Sequence, residues 1–161
     1  MQKSLRLGLV VITALAMTAG GQGRGGHDSD KGHVMVRPDD VKWGPAPPVL
    51  PAGAQAALIS GDPNKAVPYV IRVKLPDGYK IPPHWHPTDE NVTVIQGTFM
   101  AAKGDKFSAD ASEALPAGSF VIMPREMRHF AWAKGETIVQ VHGIGPFEFI
   151  YVNPADDPRK K

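Results

Sequence analysis

Two histidines one residue apart, His84 and His86, sit in the stretch GYKIPPHWHPTDENVTVIQG, residues 78–97. On an extended backbone successive side chains alternate faces, so both imidazoles point to the same side and can reach one point. Glu90 follows four residues after His86, ahead of NVTVIQ, a run whose threonine, valines and isoleucine favour a strand. It brings a carboxylate into the same neighbourhood. Three ligands from one short segment make a partial site, and a fourth is offered by His129, which follows Pro124 in GSFVIMPREMRHFAWA, residues 118–133. Three neutral imidazoles and one carboxylate suit a single divalent transition metal, Fe, Mn, Ni, Cu, Co or Zn, whereas Mg and Ca prefer oxygen alone. The donor set does not choose among the six. An ion that prefers five or six ligands keeps one or two positions open for water, substrate or dioxygen, while a closed four-coordinate zinc would be structural.

The spacing of these residues resembles the first motif of the cupin superfamily: Gly78, five residues, His84, one, His86, three, Glu90, six, Gly97. The second cupin motif is met at Gly118, Pro124 and His129. It departs at Glu126, where the family usually has Gly, and at Ala133, where it often has Asn. Glycine permits backbone angles that glutamate avoids, so the turn ahead of His129 is where this chain differs most from the pattern. The resemblance covers about residues 54–152 and implies an all-β fold, the cupin-type double-stranded β-helix or jelly-roll barrel. It also implies that His84, His86, Glu90 and His129 share one metal.

The elements that must position these residues read as strands. From residue 54 onward, short apolar runs are separated by turn signals at intervals of roughly ten residues, as in an all-β sandwich or barrel. Strands are expected at 55–60, 69–75, 91–96, 98–103, 119–123, 129–133, 137–144 and 147–152, with a further edge strand possible at 34–36. Turns are expected at GDPN (61–64), PDG (76–78), KGD (103–105), PAG (116–118) and KGE (134–136). Eight or so antiparallel strands of this length form a jelly roll, which suppresses exposed edges. If Val139 and Val141 pack the core, Gln140 and His142 point the other way. Together with Trp85, Met100, Phe130, Trp132 and Tyr151 they are the candidates for the pocket lining, although aromatic residues and methionine are core residues first.

The chain of 161 residues suffices for one core, and it shows no internal repeat. Residues 1–20 have Lys3 and Arg6, then an apolar run from Leu7 to Met17, then small residues. That order is the build of a secretory signal peptide cleaved near Ala19, with a run too short to span a bilayer. A polar, Gly-rich tail follows at once, which argues against a buried N-terminal helix. Residues 21–53 read as a flexible leader and a Pro-rich extended arm, VKWGPAPPVLP at 41–51, with Trp43 its large anchor. Residues 54–152 are then the cupin domain, and 153–161 a C-terminal tail.

Loss of Lys3 and Arg6 would leave 16 basic residues against 16 acidic ones. A near-neutral mature protein gives no reason to propose nucleic acid or an anionic membrane as partner. No cysteine is present, which excludes disulfides, thiolate ligands and a lipid-attachment cysteine. The expected product is secreted or periplasmic, without a membrane anchor, and takes a small-molecule ligand or substrate. A metal-dependent oxygenase or oxidoreductase is expected, the alternative being a non-catalytic module that binds metal and ligand as a sensor. Single-domain cupins commonly pair, so the resemblance also implies a homodimer, with extended segments at both ends of the chain available for it.

Overall fold

Two long strands frame the molecule, β5 (Glu90–Lys103) and β8 (His129–Ile144), in a computed structural model that describes residues 32–161. The other strands are β1 (Gly44–Pro45), β2 (Gln55–Gly61), β3 (Pro68–Leu75), β4 (Lys80–Trp85), β6 (Glu113–Pro116), β7 (Phe120–Met123) and β9 (Ile150–Tyr151). All pairings are antiparallel, and they curl into a jelly-roll half-barrel.

Each long strand serves both layers. Residues 91–96 of β5 pair with residues 138–142 of β8, and residues 98–103 pair with 129–134. The first halves of that ladder extend through β3, β2 and β1 on one side and β7 on the other; the second halves carry β4, β9 and β6. The bend between layers passes through Gly97, whose φ is +74°. A Cβ there would lie 2.3 Å from the carbonyl oxygen of Glu136, so glycine is required both for the angle and for the close approach. Between the layers pack Val92 and Val94 of β5, Val139 and Val141 of β8, and Tyr69, Val73 and Leu75 of β3. The alternation of these valines with Asn91, Thr93, Gln140 and His142 is the period of two expected of a strand with one buried face.

Several boundaries differ from the sequence-based expectation. Residues 98–103 continue the strand begun at Glu90, and KGE at 134–136 is a kink inside β8, where Gly135 donates its N–H to Asp77 Oδ1 at 2.6 Å. β6 and β4 were not among the expected strands. β4 contains Pro82 and Pro83, which cannot donate to a ladder; its register shifts between Ile81 and His84, and this bulge accommodates both prolines. Only Ile150–Tyr151 of the expected 147–152 strand pairs, and residues 34–36 do not. The Pro-rich arm lies along the barrel: Tyr151 donates to the carbonyl of Val49 at 2.7 Å, and the Tyr79 hydroxyl donates to that of Pro51. Lys74 lies 4.6 Å above the Trp43 ring, a cation–π contact. The expected signal peptide and most of the expected leader fall outside the described residues, and among those described no helix is long and apolar enough to cross a membrane.

Candidate metal centre

His84 lies on β4, His129 opens β8 and Glu90 opens β5; His86 stands just past the end of β4. His84 and His129 are direct register partners, which sets their rings 4.2 Å apart, centroid to centroid. One ligand atom from each of His84, His86, Glu90 and His129 lies within 4.8 Å of every other. All three histidines are 2% exposed, and the Glu90 side chain is 12% exposed. The carboxylate reaches His129 Nε2 at 3.3 Å and His86 Nε2 at 3.6 Å.

Every Nδ1 is held by the main chain. That of His84 donates to Pro82 O at 2.8 Å, that of His86 to Glu148 O at 2.6 Å and that of His129 to Met127 O at 2.9 Å. A donating Nδ1–H leaves the Nε2 lone pair of a neutral ring free, as a metal ligand requires. The Nε2 atoms of His86 and His129 are buried without a hydrogen-bond partner. Buried polar atoms in this state ask for a ligand, and together with the carboxylate they fit a divalent transition metal. Burial, and then the fields of His129 and His86, push the pKa of His84 well below its usual 6.5, so the ring is neutral. Burial alone would raise the Glu90 carboxyl, but the His129 and His86 side chains beside it act more strongly the other way and hold the group well below the usual carboxylate range. Glu90 is therefore ionised.

The loop ahead of His129 is tied to the loop after His86. Glu126 donates its N–H to His86 O at 2.7 Å, and Arg125 donates its own to Asp89 Oδ1 at 2.8 Å. Glu126 has a φ of +63°, so it adopts the left-handed conformation for which the cupin pattern has glycine. Ala133, at the position of the family's asparagine, is fully buried; its N–H donates to Tyr79 O and its carbonyl accepts from Gly78 N–H, each at 2.9 Å.

Sequence reasoning placed a strand after β8 but did not single out Phe147, Phe149 or Tyr69 as neighbours of the site. Phe149 stacks on His84 with centroids 3.9 Å apart and planes at 13°, and Phe147 stacks on His86 at 4.5 Å and 23°. Tyr69 packs on Phe147 at 5.5 Å, and its buried hydroxyl has no partner. Burial and the Glu90 charge push its ionisation upward, so it stays a neutral phenol. No spacing signal marks these three residues, because ring stacking leaves no fixed sequence pattern.

A cavity of about 810 Å³ opens from the cluster into the barrel. His84, Glu90 and His129 line one part of it; β3 contributes Ile71 and Val73, β8 contributes Val139 and Val141, and the arm contributes Pro47 and Leu50. None of the seven residues expected as pocket lining, Trp85, Met100, Phe130, Trp132, Gln140, His142 and Tyr151, is among the residues that line it. Phe130 packs on Phe107, and Trp132 donates to Ser112 Oγ, both under the loop after β5. Gln140 accepts from Arg72, and His142 stacks on Phe120. Met100 pairs with Trp132 on the outer face, Trp85 pairs with Ile150, and Tyr151 anchors the arm. The physical reason is topological: in a curled sheet the core and the cavity share the concave face, so the side chains opposite Val139 and Val141 point outward.

A family model described as a domain of unknown function, DUF4437, matches residues 34–158. A search of curated proteins finds no match to the sequence. Solved structures with the same fold include a proposed acetylacetone dioxygenase from Methylibium petroleiphilum PM1, 19% identical, TM-score 0.60, covering 78% of this chain and 85% of that one. The polyketide cyclase RemF from Streptomyces resistomycificus is 18% identical, with a TM-score of 0.59 and coverage of 78% and 89%. An RmlC-like cupin from Shewanella frigidimarina NCIMB 400 is 12% identical, with a TM-score of 0.52 and coverage of 74% and 92%. Among eight of the solved chains that match, this chain spans from 51% to 94% of their own length.

Proposed function

The chain belongs to the DUF4437 family and has the cupin fold, and on that premise we propose that it is a metal-dependent cupin enzyme, an oxygenase or oxidoreductase acting on a small organic molecule. The observation that carries the proposal is the pair of buried, unpartnered Nε2 atoms beside an ionised Glu90 where the cavity begins. His84, His86, Glu90 and His129 would hold the ion, which supplies Lewis-acid polarisation or electron exchange with dioxygen. The three backbone carbonyls aim the imidazoles, Phe147 and Phe149 cover two of them against water, and the cavity receives the substrate. Two of the solved relatives, the proposed dioxygenase and the polyketide cyclase, are named for chemistry on small organic molecules, which supports the same class here.

The test is elemental analysis of the purified protein followed by oxygen uptake and substrate loss with a panel of small phenols and enolisable ketones. One metal per chain and turnover of at least one compound are expected. A second reading, a module that binds metal and ligand without turnover, draws on the polar residues at the cavity beyond the four ligands: Asp62 is already engaged by Lys65, and Arg159 by Asp157. Binding of the panel without oxygen uptake or product, on protein loaded in turn with Fe, Mn, Ni, Cu, Co and Zn, would replace the enzyme reading with this one.

The proposal includes export and pairing. Lys3, Arg6 and the apolar run after them support removal of about the first 20 residues, and the extended segments at both ends support a homodimer. Mass spectrometry and light scattering on protein from its own cell read both; an intact Met1 on the soluble form, or the mass of one chain at micromolar concentration, would sink the respective idea.

A further inference from the structure

We propose that the cavity takes an electrically neutral, largely apolar molecule with its oxygen donors at one end, that end at the four ligands and its hydrocarbon part against β3 and β8. The inference deepens the reading of the site as a metal centre and rests on it for the placement of the donor end. At about 810 Å³ the cavity falls in the usual range of small-molecule sites, roughly 300–1,000 Å³. Its polar lining is the ligand cluster together with Asp62, Asn64, Glu148 and Arg159, and Glu148 adjoins that cluster, its carbonyl accepting from His86 Nδ1. The walls supplied by β3, β5 and β8 are hydrocarbon: Ile71, Val73, Val92, Val139 and Val141.

Charge decides the class of occupant. Among the described residues Arg159 is the one Lys or Arg side chain that lines the cavity, and it is spent on Asp157, with Nε to Oδ1 and Nη2 to Oδ2 both at 2.8 Å. Asp62 is held by Lys65 at 2.8 Å and accepts from Asn64. A carboxylate or phosphate carried on the hydrocarbon part would find no free cation among the lining residues. An uncompensated charge in an apolar wall is unfavourable, whereas each methylene buried there strengthens binding about fourfold.

The probes are acetohydroxamate, hexanohydroxamate, octanohydroxamate and the monohydroxamate of suberic acid, which chelate a metal through two oxygens and differ in tail. They are titrated into the cobalt-loaded full chain and read by the visible cobalt spectrum. Affinity should rise about fourfold per methylene, and the carboxylate-ended probe should bind at least about tenfold more weakly than the methyl-ended one of equal length. Equal affinity along the series, tighter binding of the carboxylate, or no spectral response from loaded protein would overturn the proposal. Failure of the metal reading shows separately, as cobalt that does not load. The hydrocarbon wall is then tested on metal-free protein with N-phenyl-1-naphthylamine, a neutral apolar fluorophore. One bound per chain, weakened at least tenfold by Ile71→Asn in a protein of unchanged circular dichroism, is expected; no binding to wild type, or no loss in the variant, overturns the proposal on its own.

Discussion

Glu126 donates its backbone N–H to the carbonyl of His86 across 2.7 Å while holding a φ of +63°, so one strained residue joins the two loops that carry the ligands. A non-glycine residue in that conformation costs about 1–2 kcal/mol. Glycine there would relieve the strain and lose about 0.5–1 kcal/mol to the unfolded chain. Glu126→Gly is therefore expected to stabilise the protein by about 0.5 kcal/mol with metal content unchanged. The urea midpoint reads it, and a lower midpoint would mean that the Glu126 carboxylate, 3.5 Å from Arg125, outweighs the strain.

Removing a ligand should separate binding from folding. His86→Ala is expected to weaken metal binding by at least about 100-fold and to leave the circular dichroism of the sheet unchanged, because the ring packs on Phe147 outside the valine core. Glu90→Gln keeps an oxygen donor and loses the charge, so a milder loss of about tenfold is expected. Metal stoichiometry after identical dialysis is the measurement. Equal retention by wild type and His86→Ala would remove this constellation as the site.

Acid should destabilise the metal-free protein in two stages. The His84 pKa is depressed in the folded state by burial and by its histidine neighbours, so below about pH 6.5 the unfolded chain takes up a proton that the native one refuses. Stability therefore falls as pH drops from about 6.5 toward the folded pKa. Glu90 is also depressed, so below about 4.5 the unfolded chain again binds the extra proton. Thermal unfolding of metal-free protein should give a Tm that declines from pH 7 to 4, and His84→Gln should flatten the part between 7 and 5. An unchanged slope in that variant would assign the first stage to another group.

Two glycines of the first motif share a conformation and differ in their surroundings. A Cβ at Gly97 would meet Glu136 O at 2.3 Å and Thr137 Cα at 2.9 Å; one at Gly78, φ +72°, would meet nothing within 4 Å. Gly97→Ala is expected to cost about 3 kcal/mol, from strain and overpacking together, and Gly78→Ala about 1 kcal/mol. Urea unfolding of the pair checks the order, and equal losses would show that the bend at Gly97 can open.

The clustering of His84, His86, Glu90 and His129 was legible because a metal would demand particular atoms at a particular spacing, and such a demand fixes residue types. The fold was legible for a similar reason, since the alternation of valines in β5 and β8 is a direct trace of the pleat. The cavity was not. Alternation reports that Gln140 and His142 lie opposite Val139 and Val141, and only the curl of the sheet says which side is concave. Nor was β4 legible as a ladder strand, because Pro82 and Pro83 read locally as breakers and are accommodated by a bulge that depends on β8. Phe147 and Phe149 earned no notice in the sequence because their role is set by His84 and His86, more than sixty residues away.

The acceptors that orient the three imidazoles are the carbonyls of Pro82, Met127 and Glu148, and not side chains. Any amino acid at those positions still presents a carbonyl, so no point substitution can delete the groups that set the tautomers. The outer layer of this centre is thereby insulated from mutation to a degree that a carboxylate-supported histidine is not. Variation can drift through residues 82, 127 and 148 with the donor atoms kept in aim, and selection for a different ion or reactivity has to act on the four ligands themselves or on the rings of Phe147 and Phe149.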